Sequence, residues 1–221
     1  MAAERGETVF LVLDCSEPSW AKANDSVAPS KRSSFMLALE STILLQNAIK
    51  LFHADNETVL VAACHPYPQV VAESSSKQDF FQLSEQTGLN SVSITKSLMI
   101  ALCVANKQRG AGDNQIRFVL ITASPVPTLD FVTCMNCAFA AQKLGVVIDV
   151  FDFSQASDSP TLMQLVHHTN GWYVNVIPEQ ISQGILAHTL LSYFTASPQE
   201  RTIGPPQLAT DMRSHAKVRY K

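Results

Sequence analysis

Glycine is scarce, with eight in 221 residues, about half the usual share. None stands in a G-x-x-x-x-G-K, G-x-G-x-x-G or G-x-S-x-G spacing, so the loops that cradle phosphates or expose a hydrolase serine are missing. Charge is low as well. Only 16% of residues are charged, and 16 basic against 19 acidic side chains leave a net charge of −3, which gives no field to hold the domain on nucleic acid or an anionic membrane. The start, MAAERGETVFLVLD, lacks a basic region followed by a long apolar core, and no apolar stretch reaches the ~20 residues of a membrane span. A soluble protein with no membrane association is expected. The five cysteines, Cys15, Cys64, Cys103, Cys134 and Cys137, are odd in number and scattered through apolar segments, a pattern of reduced thiols in the cytosol or nucleus rather than of a disulfide scaffold.

Apolar side chains are plentiful, at 46%, enough for one folded domain and more buried surface than a monomer of this size requires. The chain reads as a single domain over residues 1–196, followed over 197–221 by a proline-containing connector, TIGPPQ (Thr202 to Gln207), and a basic tail with Arg213, Lys217, Arg219 and Lys221. Continuous β-branched and aliphatic runs mark strands buried on both faces. They lie at Thr8 to Asp14, Thr58 to His65, Ile116 to Ala123 and Val146 to Phe153, with a strand in GWYVNVI. A short antiparallel edge strand is predicted for Gln69 to Glu73 after Pro66 and Pro68. Helical periodicity covers Ser33 to His53, Ser93 to Gln108, Leu129 to Leu144, Thr161 to His168 and Glu179 to Phe194, while Ser74 to Asn90 reads as loop with room for a short helix.

Strands alternating with helices predict an α/β fold, a doubly wound and mostly parallel sheet flanked by helices on both faces. Ligands of such sheets collect outside the carboxyl ends of the strands where strand order reverses. Asp14 and Ser124 sit at such ends. A hard divalent ion there needs about six oxygens. The first loop, D-C-S-E-P, supplies Asp14 and Ser16, but the residue two further on is Pro18. This stretch nearly matches the D-x-S-x-S signature of von Willebrand factor A domains, a Rossmann-type fold. The resemblance implies a further threonine from a middle loop, here Ser93 or Thr95, and an aspartate after the fourth strand, where this chain has Ala123 and Ser124. Asp14 and Ser16 therefore read as remnants of a metal site, with no metal expected, or simply as residues that cap and tie the first loop.

Among A domains, FVTCMNCAFAAQKLGVVIDVFDF, LMQLVHHTNGWYVNV and a helix ending LLSYF resemble the small A-domain subunit of general transcription factor TFIIH. AFAAQK before a strand is the most specific piece, and the resemblance covers nearly the whole chain. It implies a non-enzymatic structural subunit of a nuclear complex that serves transcription initiation by RNA polymerase II and nucleotide excision repair. The implied partner is the zinc-binding C-terminal module of the larger A-domain subunit and, through it, the helicase subunits. Direct nucleic-acid binding by the domain is not expected to be strong. Family members often carry zinc in a cysteine-rich module after the connector; LATDMRSHAKVRYK has no cysteines, so no cofactor is expected in this chain. A TNGWY motif, Thr169 to Tyr173, resembles the T-G-G-x-Y of the larger subunit too. Two other readings compete. One is a ubiquitin-receptor A domain of the proteasome, similar in ITASPV. The other is an A domain that binds its ligand through a divalent ion.

Two helices look apolar all round, in SLMIALCVANK and DFVTCMNCAFAAQ, which implies burial on more than one side. They either pack against each other and nearby loops or receive a partner. The docking residues expected in the second case are Met99, Ile100 and Cys103, with Met135 and Ala138 next. Cys134-x-x-Cys137 falls inside a helix rather than at its start, so redox chemistry is not expected. His167, His168 and His188 have no carboxylate or cysteine at ligand spacing.

Overall fold

The computed structural model describes residues 6–25, 33–52, 54–71, 92–109, 114–154, 159–176, 183–196 and 201. Strands β1 (Glu7–Asp14), β2 (Glu57–Ala63), β3 (Gln69–Val71), β4 (Gln115–Thr122), β5 (Val147–Asp152) and β6 (Tyr173–Asn175) form one sheet in the order β3-β2-β1-β4-β5-β6. All neighbours are parallel except β3, which runs antiparallel to β2 at the edge. Strand order reverses between β1 and β4, so the expected ligand crevice lies above Asp14 and Thr122.

Helices α1 (Glu17–Asp25), α2 (Ser34–Phe52), α3 (Ile94–Arg109), α4 (Phe131–Lys143), α5 (Pro160–Thr169) and α6 (Gln183–Phe194) cover the sheet. Alternation along each strand divides the core in two. Val9, Leu11, Leu13, Ile121 and Phe151 face α1, α2 and α6 through Trp20, Leu39, Leu45 and Phe194. Phe10, Val12, Phe118, Leu120 and Val150 face α3, α4 and α5 through Leu98, Cys134, Ala138 and Leu165. Each fully buried leucine or phenylalanine in these layers contributes about 1.5–3 kcal/mol.

Local signals set the element ends. The Ser33 hydroxyl accepts the Met36 N–H at 3.3 Å, and the Ser93 hydroxyl accepts that of Lys96 at 3.3 Å, capping α2 and α3. Gly145, at φ 63°, ends α4: its N–H donates to the Gln142 carbonyl and Val146 N–H to that of Ala141, a left-handed stop that glycine adopts without steric cost. One expectation needs correcting. No helix is predicted from the sequence between β1 and α2, yet α1 forms there. Its Trp20 is buried against Phe35 and Phe153 and donates its indole N–H to the Asp14 carbonyl at 2.8 Å. A single aromatic anchor outweighs the polar composition of its neighbours. The segment around Phe80, Phe81 and Leu83 lies outside the described residues, as do the connector and the basic tail.

Candidate functional site

Asp14 ends β1 fully buried. Its Oδ1 accepts the Ser16 N–H at 2.9 Å. Its Oδ2 accepts the N–H groups of Ala123 (3.1 Å) and Ser124 (2.8 Å) and lies 3.2 Å from the Thr122 hydroxyl. One carboxylate thus binds the turn after β1 to the turn after β4. Beside it runs a hydroxyl chain, Ser16 to Ser19 at 3.0 Å and Ser124 to Ser19 at 2.9 Å. Ser19, one position beyond Pro18, brings a hydroxyl to the loop, a contribution hidden by the expected spacing. Burial pushes the Asp14 carboxyl above its ordinary value, against the opposing pull of its hydrogen bonds. The geometry can house that proton, since Oδ2–H can donate to Thr122 Oγ1 while the threonine donates to the Ser124 carbonyl at 3.1 Å.

This arrangement does not suit a hard cation. Backbone N–H groups point at both Asp14 oxygens, where an ion would have to sit, and no second carboxylate stands after β4, where magnesium needs anionic oxygen. Of the middle-loop candidates, Ser93 is committed to capping α3, while Thr95 is buried with its hydroxyl unpartnered and the Cys137 thiol 3.9 Å from its carbonyl oxygen. Among the described residues no group of three histidine, cysteine or carboxylate side chains could hold a metal. Asp14 and Ser16 act here as a structural tie.

The apolar helices divide differently from the expectation. Met99, 47% exposed, and Cys103 face outward on α3, with Ile100 half-buried. Met135 (7% exposed) and Ala138 (0%) do not: they belong to the core under α4 and are closed to any partner. The outer face of α4 carries Val132 (67%) and Phe139 (50%) instead, preceded by Leu129 at 94%. Residues 132 and 139 lie seven apart, hence on one face, while Met135 and Ala138 are covered by the neighbouring elements. Mutual packing of α3, α4 and α5 thus accounts for part of the apolar surface, and a bare remainder is left. Around it stand Lys96, Lys107, Arg109 and Lys143, all exposed.

Cys134 and Cys137 sit within α4, buried, with their thiols pushed up to about 12 and about 11 chiefly by desolvation. They are inert packing groups. The histidines of α5 stay at the surface side, His168 against Phe139 with ring centres 5.1 Å apart.

The TNGWY motif proves to be a joint between α5 and the sheet. Thr169 Oγ1 accepts the Ile148 N–H at 3.3 Å and lies 3.0 Å from the Leu165 carbonyl. Asn170 caps α5 in a left-handed conformation, φ 56°. A Cβ on Gly171 would lie 1.8 Å from the Ile148 oxygen, so no other residue fits. Trp172 N–H donates to Asp149 Oδ1 at 2.7 Å, and Tyr173 OH donates to Asp152 Oδ2 at 2.7 Å. Asp149 in turn belongs to a buried ionic group with Arg117, 3.6 Å away, and Arg201; Arg117 also pairs with Glu7 at 2.9 Å. Sequence reasoning missed this group. Its signal was a charged residue inside each of two apolar strand runs, IRFVLITA and VVIDVFDF.

Residues 69–219, more than half of the chain, match the protein family described as transcription factor Tfb4. The chain belongs to the Tfb4 family. It is similar to general transcription factor IIH subunit 3 of Dictyostelium discoideum, 34% identical over 111 residues, which is 50% of this chain and 28% of that protein. It is also 28% identical over 137 residues to the general transcription and DNA repair factor IIH subunit TFB4 of Yarrowia lipolytica, covering 59% of this chain and 40% of that protein. The chain thus matches well under half the length of either. Two solved structures share the fold. The TFIIH p34 N-terminal domain superimposes with a TM-score of 0.58 at 17% identity, over 82% of this chain and 97% of that one. The SpRpn10 VWA domain gives 0.63 at 19%, over 92% and 99%. The expected α/β sheet of von Willebrand factor A type is therefore the observed fold, and the family is described as a transcription factor rather than as an enzyme.

Proposed function

We propose that the chain is a non-enzymatic structural subunit of TFIIH, acting in the nucleus in transcription initiation and nucleotide excision repair. Its mechanism is to hold the zinc-binding C-terminal module of the larger A-domain subunit, and through it the helicase subunits, on the outer face of α3 and α4. What carries this reading is the set of apolar side chains left exposed by the domain's own packing, Met99 and Cys103 on α3 and Val132 and Phe139 on α4, on a member of the Tfb4 family. Exposed apolar groups that gather into a patch mark association surfaces. The domain is proposed to work without a divalent ion, because the Asp14 oxygens are already taken by N–H donors. The ubiquitin-receptor alternative rests on likeness of fold alone, at 19% identity, and the family match favours TFIIH.

Affinity purification of the tagged chain from its own cells, followed by mass spectrometry, tests this reading. Helicase and A-domain subunits of TFIIH should be recovered with the wild type and lost with Met99→Glu plus Cys103→Glu. Recovery of proteasome subunits, or of no stable partner, would sink it; undiminished recovery with the double variant would move the interface elsewhere.

A further inference from the structure

Buried charges tolerate the interior only when paired, and the group around Asp149 is balanced by a residue far along the chain. Asp149 is fully buried on β5, and Arg117 on β4 is 3% exposed. Arg117 is bonded to Glu7 at 2.9 Å. Its Nη1 stays 3.6 Å from Asp149 Oδ2, and neither atom has a hydrogen-bond partner. Arg201 brings a second cation to the same carboxylate: its Nη2 donates to Asp149 Oδ1, and its guanidinium carbon lies 4.2 Å from the centre of the Trp172 ring. Trp172 is itself fixed. Its backbone N–H holds the same Asp149 oxygen, and its ring meets Tyr193 of α6 edge-on at 6.2 Å.

A flat cation between a carboxylate and an indole face is the geometry that arginine satisfies and lysine does not. We propose that Asp149 and Trp172 form a guanidinium receptor whose ligand is Arg201 of the same chain. This contact makes Arg201, placed by its position among connector residues, part of the domain. This inference is independent of the TFIIH reading, since it concerns the chain's hold on itself.

The test uses the full chain with Arg201→Ala, Arg201→Lys and the double variant Arg201→Ala plus Asp149→Asn. Arg201→Ala should lower Tm by on the order of 10 °C, because it leaves a buried carboxylate short of its partner. Hydrogen exchange should quicken at least tenfold, as an order of magnitude, across residues 183–196 while β1 and β4 keep their protection. Ethylguanidine at low millimolar concentration should restore part of the lost Tm in Arg201→Ala and none in the wild type, and Arg201→Lys should resemble Arg201→Ala. The double variant carries no uncompensated carboxylate, so it folds, yet residues 183–196 should still exchange fast. Wild-type Tm and exchange in Arg201→Ala would overturn the proposal, with Asp149 turning to Arg117 instead. Full function of Arg201→Lys, or no response to ethylguanidine, would also overturn it.

Discussion

Asp14 shows how one residue can keep its place while its chemistry changes. A carboxylate at the end of the first strand was legible from the sequence, because an apolar run stopped there. What could not be read was the set of N–H donors, since their direction depends on how the turn after β4 folds back over β1. Replacing Asp14 with alanine strands the N–H groups of Ser16, Ala123 and Ser124, at about 1–3 kcal/mol for each donor left unsatisfied. Urea denaturation should therefore show a loss above 2 kcal/mol, an order-of-magnitude figure from the same penalty. The pH dependence has a definite sign. Burial raises the folded carboxyl above 3.8, so the folded state holds its proton more tightly than the unfolded one. That contribution to stability is fully present below 3.8 and declines as pH rises through the folded value. The stability advantage of wild type over Asp14→Asn should shrink across that window. An advantage that grows with pH would mean that the carboxylate is held as an anion by its donors.

Elements were more legible than the contacts between them. Continuous apolar runs marked the parallel strands, and serine and glycine marked helix ends, since these signals act within a few residues. The inward and outward faces of α4 were harder, because apolar side chains fill most of its circumference from Phe131 to Ala141 and only the neighbouring elements decide which are covered. Met135 and Ala138, expected on an open face, are therefore buried, while Val132 and Phe139 are the exposed apolar residues of α4. Ala138→Glu should cost more than about 3 kcal/mol by burying a charge without a partner. Val132→Glu plus Phe139→Glu should leave the melting temperature within a few degrees of wild type, as calorimetry can check. The joint after α5 offers a second contrast. With the Ile148 oxygen 1.8 Å from where a Cβ would sit at Gly171, Gly171→Ala must shift β5 or the turn, and a loss of about 3 kcal/mol or more in denaturant titration is expected. The TNGWY spelling signalled a special turn; its service to Asp149 and Arg201 joins residues 52 apart and lies beyond any local pattern.

At the scale of the molecule, the carboxyl end of the sheet is tied together by Asp14, and exposed apolar side chains stand on α3 and α4. The chain belongs to the Tfb4 family, and its low charge fits the proposed role of a subunit held by contact rather than by long-range attraction. The central claim is the docking face, and titration calorimetry of the purified chain against the purified zinc-binding C-terminal module of the larger A-domain subunit tests it most directly. The account predicts binding at micromolar concentration or tighter, unchanged by added magnesium and weakened at least a hundredfold, about 3 kcal/mol, by Val132→Glu plus Phe139→Glu. Heat of binding that is absent with the wild type, or undiminished in the variant, would contradict it.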